Sequence, residues 1–302
     1  MILFCDFNPK IVREYKLDDS EKEEIINSKF YPSGHGIDMS FFTRALGVES
    51  EVFMLKGNKL GREIALNLSK LGIDITPINL KDDNIEEVVI DSDKSQMRYR
   101  TKEPRITMED RAEILNSFER TLYNNSIAVI PKIDLTGLDS SLYEKLVKIC
   151  YKNNTKVIVN TSDLTEIERS NPYILVYDKN DIEEKRKINY TGEVIEFNKK
   201  FLKMGTKIVV ANSKRFTIIS TEDKNYRAYL DKQKFGINEI LDDFNTDLSI
   251  AGLSIALDRE YDFITSMKLL IASGVWQNFK EQEEIDMSYI KKLMNSVIVE
   301  EI

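Results

Sequence analysis

The chain has 302 residues, of which 42% are hydrophobic and 31% charged, and its formal net charge at pH 7 is −8. This composition is ordinary for a globular protein with a large core, and an acidic chain without a basic block does not favour a nucleic-acid partner. No apolar run approaches the roughly 18 residues that a membrane span requires. Cys5 and Cys150 lie in apolar runs and are typical of reduced core residues. We therefore expect a soluble, cytoplasmic protein with no membrane or nucleic-acid partner.

Strands and helices alternate along most of the chain. Periodicity and turn residues predict strands at 2–7, 11–16, 52–55, 73–78, 127–130, 156–160, 173–177, 207–210, 216–220 and 226–230. Helices are predicted just after Gly36, at 60–71, 108–122, 140–151 and 193–204, from Asp247 onward, and at 261–273 and 288–298. Alternation with short connections favours a mainly parallel sheet covered by helices on both faces.

One region departs from this alternation. Residues 86–91 and 96–102 form an antiparallel hairpin pattern around a short polar turn, and the charged stretch 18–27 has the composition of a surface segment. The hairpin and the strand near residue 12 do not join the parallel sheet easily. We interpret residues 10–17 and 85–102 as a small inserted β lid on a single domain that covers residues 1–302.

The stretch LDDFNTDLSIAGLSIAL, residues 241–257, predicts a loop that leads into a buried helix. Thr246 or Asp247 is a natural N-cap, since a short side-chain oxygen can accept the unpaired amide hydrogens of the first turn. A carboxylate at the N-terminus of a buried helix is also a plausible catalytic position. From these residues, Asp247 is either a cap or a catalytic group.

Six short motifs, in order along nearly the whole chain, resemble those of the PfkB (phosphofructokinase B) carbohydrate kinases. The nearest branch comprises the 1-phosphofructokinases and tagatose-6-phosphate kinases. The matches are FNP at 7–9 with the family's LNP, SGHGID at 33–38 with GGKGIN, GNKLG at 57–61 with GGxxG, VIVNTS at 157–162 with VVLDTS, NDIE at 180–183 with NxxE, and FNTD at 244–247 with GAGD.

The resemblance implies a ribokinase-like three-layer α/β sandwich and transfer of the ATP γ-phosphate to a hydroxyl of a sugar or sugar phosphate. It implies Asp247 as general base, with the amides of Phe244, Asn245 and Thr246 as an anion hole. The implied substrate contacts are Asn8, Gly34, His35, Gly36, Asp38 and Arg98. Nucleotide contacts are implied at Asn180, Glu183, Asn212 and Lys214, with Asn180 and Glu183 also organising Mg²⁺. Dimers formed through the lid are a further implication.

Several positions depart from the family pattern. The glycines before Asp247 have become larger residues, the sugar-binding aspartate is Val12, and Asp83 replaces a phosphate-binding arginine. A carboxylate at residue 83 would repel a phosphate, although Arg98 and Arg100 could compensate for it. Two hypotheses follow: a divergent kinase, or a member that has lost phosphotransfer and senses ligands or binds proteins. His35 is likewise either a sugar contact or a loop residue that faces solvent.

Overall fold

The structure is a computed structural model that describes residues 1–302 except 19–23, 93–94, 140, 163–166, 168–169, 180–189, 236–242 and 280–284. In the part of the chain so described, no helix has the length and apolar character that crossing a membrane would require.

A ten-stranded sheet forms the centre of the protein, in the order β14-β13-β12-β11-β10-β9-β8-β1-β4-β5. Its strands are β1 (Ile2–Asp6), β4 (Ser50–Lys56), β5 (Asp74–Asn79), β8 (Ile127–Ile130), β9 (Lys156–Asn160), β10 (Ile174–Asp178), β11 (Ile208–Asn212), β12 (Thr217–Thr221), β13 (Asn225–Leu230) and β14 (Val297–Glu301). Strands β11 to β5 in this order pair in parallel, whereas β12, β13 and β14 are antiparallel.

Helices cover both faces of this sheet. They are α1 (His35–Ala45), α2 (Lys59–Lys70), α3 (Met108–Thr121), α4 (Ser141–Lys152), α5 (Thr191–Met204), α6 (Lys232–Phe235), α7 (Thr246–Asp258), α8 (Phe263–Val275) and α9 (Met287–Ser296). Ile2 and Phe4 of β1 pack into the core shared with α1, α7 and α8, while Leu3 and Cys5 pack into the opposite core with α3, α4 and α5. The predicted three-layer α/β architecture with a mainly parallel sheet is confirmed.

A second sheet of four strands, here called the lid sheet, has the order β3-β2-β6-β7. It consists of β2 (Lys10–Leu17), β3 (Ile25–Ser33), β6 (Ile85–Asp91) and β7 (Gln96–Arg100). The sequence indicated β2 and the β6–β7 hairpin but not β3, part of which was assigned to a surface stretch. Most side chains of β3 are exposed, so it lacks the alternating burial that marks a strand in sequence. That this sheet acts as a lid on one domain stays a prediction.

The predicted helix at 288–298 was too long at its C-terminal end. Helix α9 ends at Ser296, and the β-branched run from Val297 to Val299 pairs with β13 as an antiparallel edge strand.

Candidate active site

The candidate site lies at the carboxyl ends of the parallel strands, where the N-termini of α1 and α7 meet. Strand β1 ends at Asp6, and the chain enters α1 at His35 and α7 at Thr246. Helices α1 and α7 pack directly on each other. Open α/β sheets bind ligands at this edge, because strand ends and helix N-termini converge there.

Helix α7 is capped by Asn245, and not by Thr246 or Asp247 as the sequence suggested. The Asn245 Oδ1 accepts a hydrogen bond from the Leu248 amide at 3.0 Å. Three consecutive residues here can all cap a helix, so the sequence did not distinguish between them. Because Asn245 caps the helix, the Asp247 carboxylate is not used as a cap. Asp247 lies in the first turn of α7, and the residues that follow it are buried.

Two of the three amides predicted to form the anion hole already have acceptors. The amide of Phe244 donates to Asp243 Oδ1 at 2.9 Å, and the amide of Asn245 donates to the Gly274 carbonyl at 2.8 Å. Both amides therefore already have acceptors in this structure, and the role of Phe244 and Asn245 in an anion hole stays a prediction. Within the described residues, the amides of Thr246 and Asp247 have no acceptor, so these two N–H groups at the start of α7 are the ones available to an anion.

The ring of Phe244 packs on Gly274 of α8. A Cβ placed on Gly274 would lie 2.4 Å from the ring, so this glycine creates the space that Phe244 occupies. The ring thereby lies over the C-terminal part of α8 and forms one wall of the groove described below.

Two glycines allow α1 to start directly against the end of β1. A Cβ at Gly34 would lie 2.2 Å from Asp6 Oδ2, and a Cβ at Gly36 would lie 2.4 Å from the Cys5 carbonyl oxygen. With no side chains there, the buried Asp6 carboxylate accepts hydrogen bonds from the amides of Ile37 at 3.0 Å and Asn8 at 3.1 Å. The glycines predicted as substrate contacts therefore also have a packing role.

His35 bridges two carboxylates at the centre of the site. Its Nδ1 lies 2.6 Å from Asp247 Oδ2, and its Nε2 lies 3.3 Å from Asp134 Oδ2. The Asp247 side chain is 19% exposed, so one part of the carboxylate remains accessible while the other is held by the imidazole. This geometry favours a site role for His35 over the alternative of a loop residue facing solvent.

These contacts set the charge of the imidazole. Burial by itself lowers the pKa of His35, but hydrogen bonds to Asp134 and Asp247 and the charge of Asp6 outweigh it and raise the pKa to about 11. The hydrogen bond from His35 lowers the pKa of Asp134. At neutral pH the site therefore holds an imidazolium ion between two carboxylates, and Nδ1–H donates to Asp247.

Two further carboxyl groups border this ion. Burial raises the pKa of Asp6 to about 6 against the amide hydrogen bonds and the charge of His35, which lower it. Burial and repulsion by Asp6 and Asp247 raise the pKa of Asp38 to about 7, against a hydrogen bond from Ser33 Oγ at 3.1 Å. The predicted substrate contact Asp38 thus lies in the same charged group as the predicted base.

A groove next to the N-terminus of α7 lies where the sequence predicted nucleotide contacts. It is a shallow groove that combines apolar walls with a cationic rim. Phe216, Leu230, Phe244, Ile271 and Val275 supply apolar surface, and the cations are Lys214, Arg215 and Lys232. Such a combination suits a ligand with an aromatic base and several phosphates. The predicted contact Lys214 lines this groove.

Asn212 does not line this groove, and its assignment as a nucleotide contact stays a prediction. It is fully buried, and its amide nitrogen lies 3.3 Å from Ser249 Oγ while its carbonyl oxygen accepts from Thr217 Oγ1 at 3.1 Å. Asn212 instead ties the end of β11 to the first turn of α7.

Asn180 and Glu183, the predicted ligands of Mg²⁺ and the nucleotide phosphates, lie outside the described residues. Within the described ranges, no group of three or more His, Cys, Asp or Glu side chains is arranged to hold a metal ion.

Asp83 has a structural role at the start of α2, and its effect on a substrate phosphate stays a prediction. Its carboxylate accepts hydrogen bonds from the amides of Lys59 at 3.1 Å and Leu60 at 2.9 Å, and so caps the N-terminus of α2. Arg98, predicted to contact substrate, lies on β7 and donates to Glu87 Oε1 at 3.3 Å.

Sequence reasoning did not assign a role to Asp6 or Asp134. Asp6 is the one carboxylate in the apolar run of β1 and immediately precedes the FNP motif, which was an available signal. Asp134 lies in the loop after β8, and only the fold brings it to His35.

No protein-family model matches the sequence. Two curated relatives are each named 1-phosphofructokinase. The protein from Borreliella burgdorferi is 25% identical over 100% of this chain and 99% of its own length. The one from Bacillus subtilis is 21% identical and covers 99% of each chain. Among solved structures, a phosphofructokinase candidate from Staphylococcus aureus superposes with a TM-score of 0.83 at 18% identity, covering 100% of this chain and 99% of its own.

Proposed function

We propose that this chain, a member of the PfkB family with the ribokinase-like fold, is a sugar-phosphate kinase that transfers the γ-phosphate of ATP to a sugar hydroxyl. The observation that carries the proposal is the Asp247–His35 pair beside the open amides of Thr246 and Asp247 at the N-terminus of α7. The names of the curated relatives favour fructose 1-phosphate as the first substrate to test.

The chemistry follows from this arrangement. Asp247 removes the proton of the sugar hydroxyl as the hydroxyl oxygen bonds to the γ-phosphorus, and the bond from that phosphorus to the bridging oxygen of ADP breaks. His35 donates from Nδ1 to Asp247 Oδ2, which orients the carboxylate and leaves Oδ1 for the substrate. The amides of Thr246 and Asp247, with the positive end of the α7 dipole, stabilise charge on the transferring phosphoryl group.

The groove beside Phe244 supports ATP as the phosphate donor. Its apolar walls suit the adenine ring, and Lys214, Arg215 and Lys232 suit the phosphates. Mg²⁺, which would spread the charge of the β- and γ-phosphates, is assigned by family resemblance to Asn180 and Glu183. The alternative of a member without phosphotransfer is less favoured, since Asp247 is held by His35 and the amides of Thr246 and Asp247 remain open at the start of α7.

The test is calorimetric titration with Mg-ATP and a turnover assay with fructose 1-phosphate, fructose 6-phosphate and tagatose 6-phosphate. Asp247→Asn should bind Mg-ATP as the wild type does, because it removes the base and leaves the groove, while turnover falls by roughly 10²- to 10⁴-fold. Asp258→Asn, at the opposite end of α7, is the matched control and should keep full turnover. Absence of Mg-ATP binding by the wild type at millimolar nucleotide would refute the proposal.

We also propose a homodimer formed through the lid sheet. One face of this sheet carries the exposed apolar side chains of Phe30, Met97 and Tyr99. An unpaired face of this kind suits a second copy of the same sheet. Light scattering should give twice the mass of 35.0 kDa, and a Met97→Lys/Tyr99→Lys variant should give the monomer mass. The buried, unpaired Cys5 and Cys150 support a cytoplasmic location.

A further inference from the structure

The loop between β8 and α4 carries a carboxylate that reaches the candidate active site. Asp134 lies on this loop, and its Oδ2 is 3.3 Å from His35 Nε2. On the other side of the ring, His35 Nδ1 is 2.6 Å from Asp247 Oδ2. The imidazole is therefore held at both of its nitrogens, and a flip of the ring would break both contacts.

The chain on each side of Asp134 is fixed by a backbone contact. The amide of Ile133 donates to the hydroxyl of Tyr143 at 2.9 Å, and the amide of Thr136 donates to Glu103 Oε2 at 2.9 Å. Tyr143 is buried in the core beneath α4, so the first of these contacts ties the loop to the centre of the protein. The Asp134 side chain is 57% exposed, but the loop that carries it is held in place before any substrate binds.

The imidazole lies among carboxyl groups from four parts of the chain. Asp6 is at the end of β1, Asp38 is in the first turn of α1, and Asp247 is in the first turn of α7. Asp134 alone comes from a loop, and it is the group that contacts Nε2 of His35. The other three carboxyl groups are built into the elements that form the site, whereas Asp134 is an addition to it.

The charges that face Asp134 identify its main partner. His35, Lys132 of the same loop and Arg100 of β7 all lower the pKa of Asp134, and the hydrogen bond from His35 is the largest of these effects. Burial opposes them, because it favours the protonated carboxyl. Asp134 is therefore ionised at neutral pH and accepts from the protonated imidazole.

We propose that Asp134 is a positioning residue of this site. It accepts from His35 Nε2–H and so fixes the imidazole with Nδ1–H directed at Asp247 Oδ2, which leaves Asp247 Oδ1 facing the sugar hydroxyl. Asp134 acts only through His35 in this assignment and does not touch the reacting atoms. The inference deepens the proposed kinase function and rests on it.

The physical reason is the number of free rotations in the base. The Asp247 carboxylate turns about its own side-chain bonds, and the His35 ring that holds it also turns unless its far nitrogen is bound. A third group that orients the middle one removes this freedom, as in nucleophile–base pairs whose base is held by a further side chain. Correct orientation before binding matters because small displacements of a reacting group are costly in rate.

The chain offers an unambiguous probe, since His35 is its only histidine. The experiment follows the Hε1 and Cε1 NMR signals of this ring from about pH 6 to about pH 11 in the wild type and in Asp134→Asn. The same proteins are assayed for kcat and KM with Mg-ATP and fructose 1-phosphate. Asparagine keeps the size of the side chain and removes its charge, and circular dichroism confirms the fold.

Two further variants separate the role of Asp134 from general effects. Asp139→Asn is the matched control, because Asp139 lies before α4 on the same connection and pairs with Arg111 at 2.9 Å, away from His35. Asparagine at 139 can still accept from the Ser141 amide, so the start of α4 keeps that contact. The second is the double variant His35→Gln/Asp134→Asn, which tests whether Asp134 acts through the imidazole alone.

We expect the titration midpoint of His35 to fall by at least about one pH unit in Asp134→Asn. We expect kcat to fall by roughly 10-fold with KM for ATP unchanged, because the base is displaced and the nucleotide groove is not altered. Asp139→Asn should match the wild type in both measurements. The double variant should have a kcat within about twofold of that of His35→Gln, since no imidazole remains for residue 134 to hold.

A midpoint that does not change in Asp134→Asn overturns the assignment, whatever the turnover. It is also overturned if the midpoint falls while kcat equals that of the wild type, or if the double variant loses much more activity than His35→Gln. A wild type that turns over no sugar phosphate refutes the kinase function, while a lowered midpoint in Asp134→Asn would still uphold the contact that fixes His35.

Discussion

Replacing Asp38 with Asn should stabilise the protein at alkaline pH and do little at acid pH. The pKa of this carboxyl is raised from 3.8 to about 7 by burial and by repulsion from Asp6 and Asp247. A raised pKa means that the folded state binds the proton more tightly than the unfolded state. The stabilisation is complete below pH 3.8 and is lost as pH rises through 7, so the ionised side chain destabilises the fold above pH 7.

The structure sets the size of this effect. A rise of about three pKa units corresponds to about 4 kcal/mol at 1.36 kcal/mol per unit. The Asp38 side chain is only partly buried, so solvent screening reduces this value, and we expect about 2 kcal/mol at pH 8.5. The hydrogen bond from Ser33 Oγ survives in the variant, because the amide oxygen of Asn can accept it.

Urea denaturation of the wild type and Asp38→Asn at pH 4.5 and pH 8.5 measures the difference in the free energy of unfolding. The gain should fall from about 2 kcal/mol at pH 8.5 to under about 1 kcal/mol at pH 4.5, since Asp38 is protonated in the folded state there. Asp74→Asn, a change at an exposed carboxylate on β5, controls for general charge effects. An equal change at both pH values, or a loss of stability at pH 8.5, would refute the reasoning.

Three further changes test other parts of the structure. His35→Gln removes the imidazolium that holds Asp247 Oδ2, so kcat should fall by roughly 10²-fold with KM for ATP unchanged; a kcat equal to that of the wild type contradicts their pairing. Asp83→Ala removes the cap of α2 and should lower stability by about 1–2 kcal/mol with KM values unchanged, while a raised KM for the sugar phosphate would place this residue in the site. Gly274→Ala forces a Cβ against the Phe244 ring; denaturation should show a loss of about 1–3 kcal/mol and calorimetry weaker ATP binding, and neither effect would be seen if the ring moves freely.

The sequence predicted the layers of the fold because the alternation of apolar strands and amphipathic helices is a local signal. It located Asp247 through an ordered set of motifs, but not the residue that caps α7, since neighbouring Asn, Thr and Asp side chains all suit that position. Strand β3 was missed because its exposed side chains carry no periodic burial. The contact of His35 with Asp134 joins residues 99 positions apart and depends on packing that no local pattern reports.

One residue, Gly34, separates the last position of lid strand β3 from the first position of α1, which is His35. The lid sheet and the imidazole are therefore joined by a single pivot, with Asp6 closing the space behind it. A tilt of the lid sheet, whether driven by a bound phosphate or by a partner subunit, would turn the imidazole relative to Asp247. Phosphate binding and dimer formation would then both change the position of the imidazole next to Asp247. Loss of the dimer would therefore lower kcat as well as change KM.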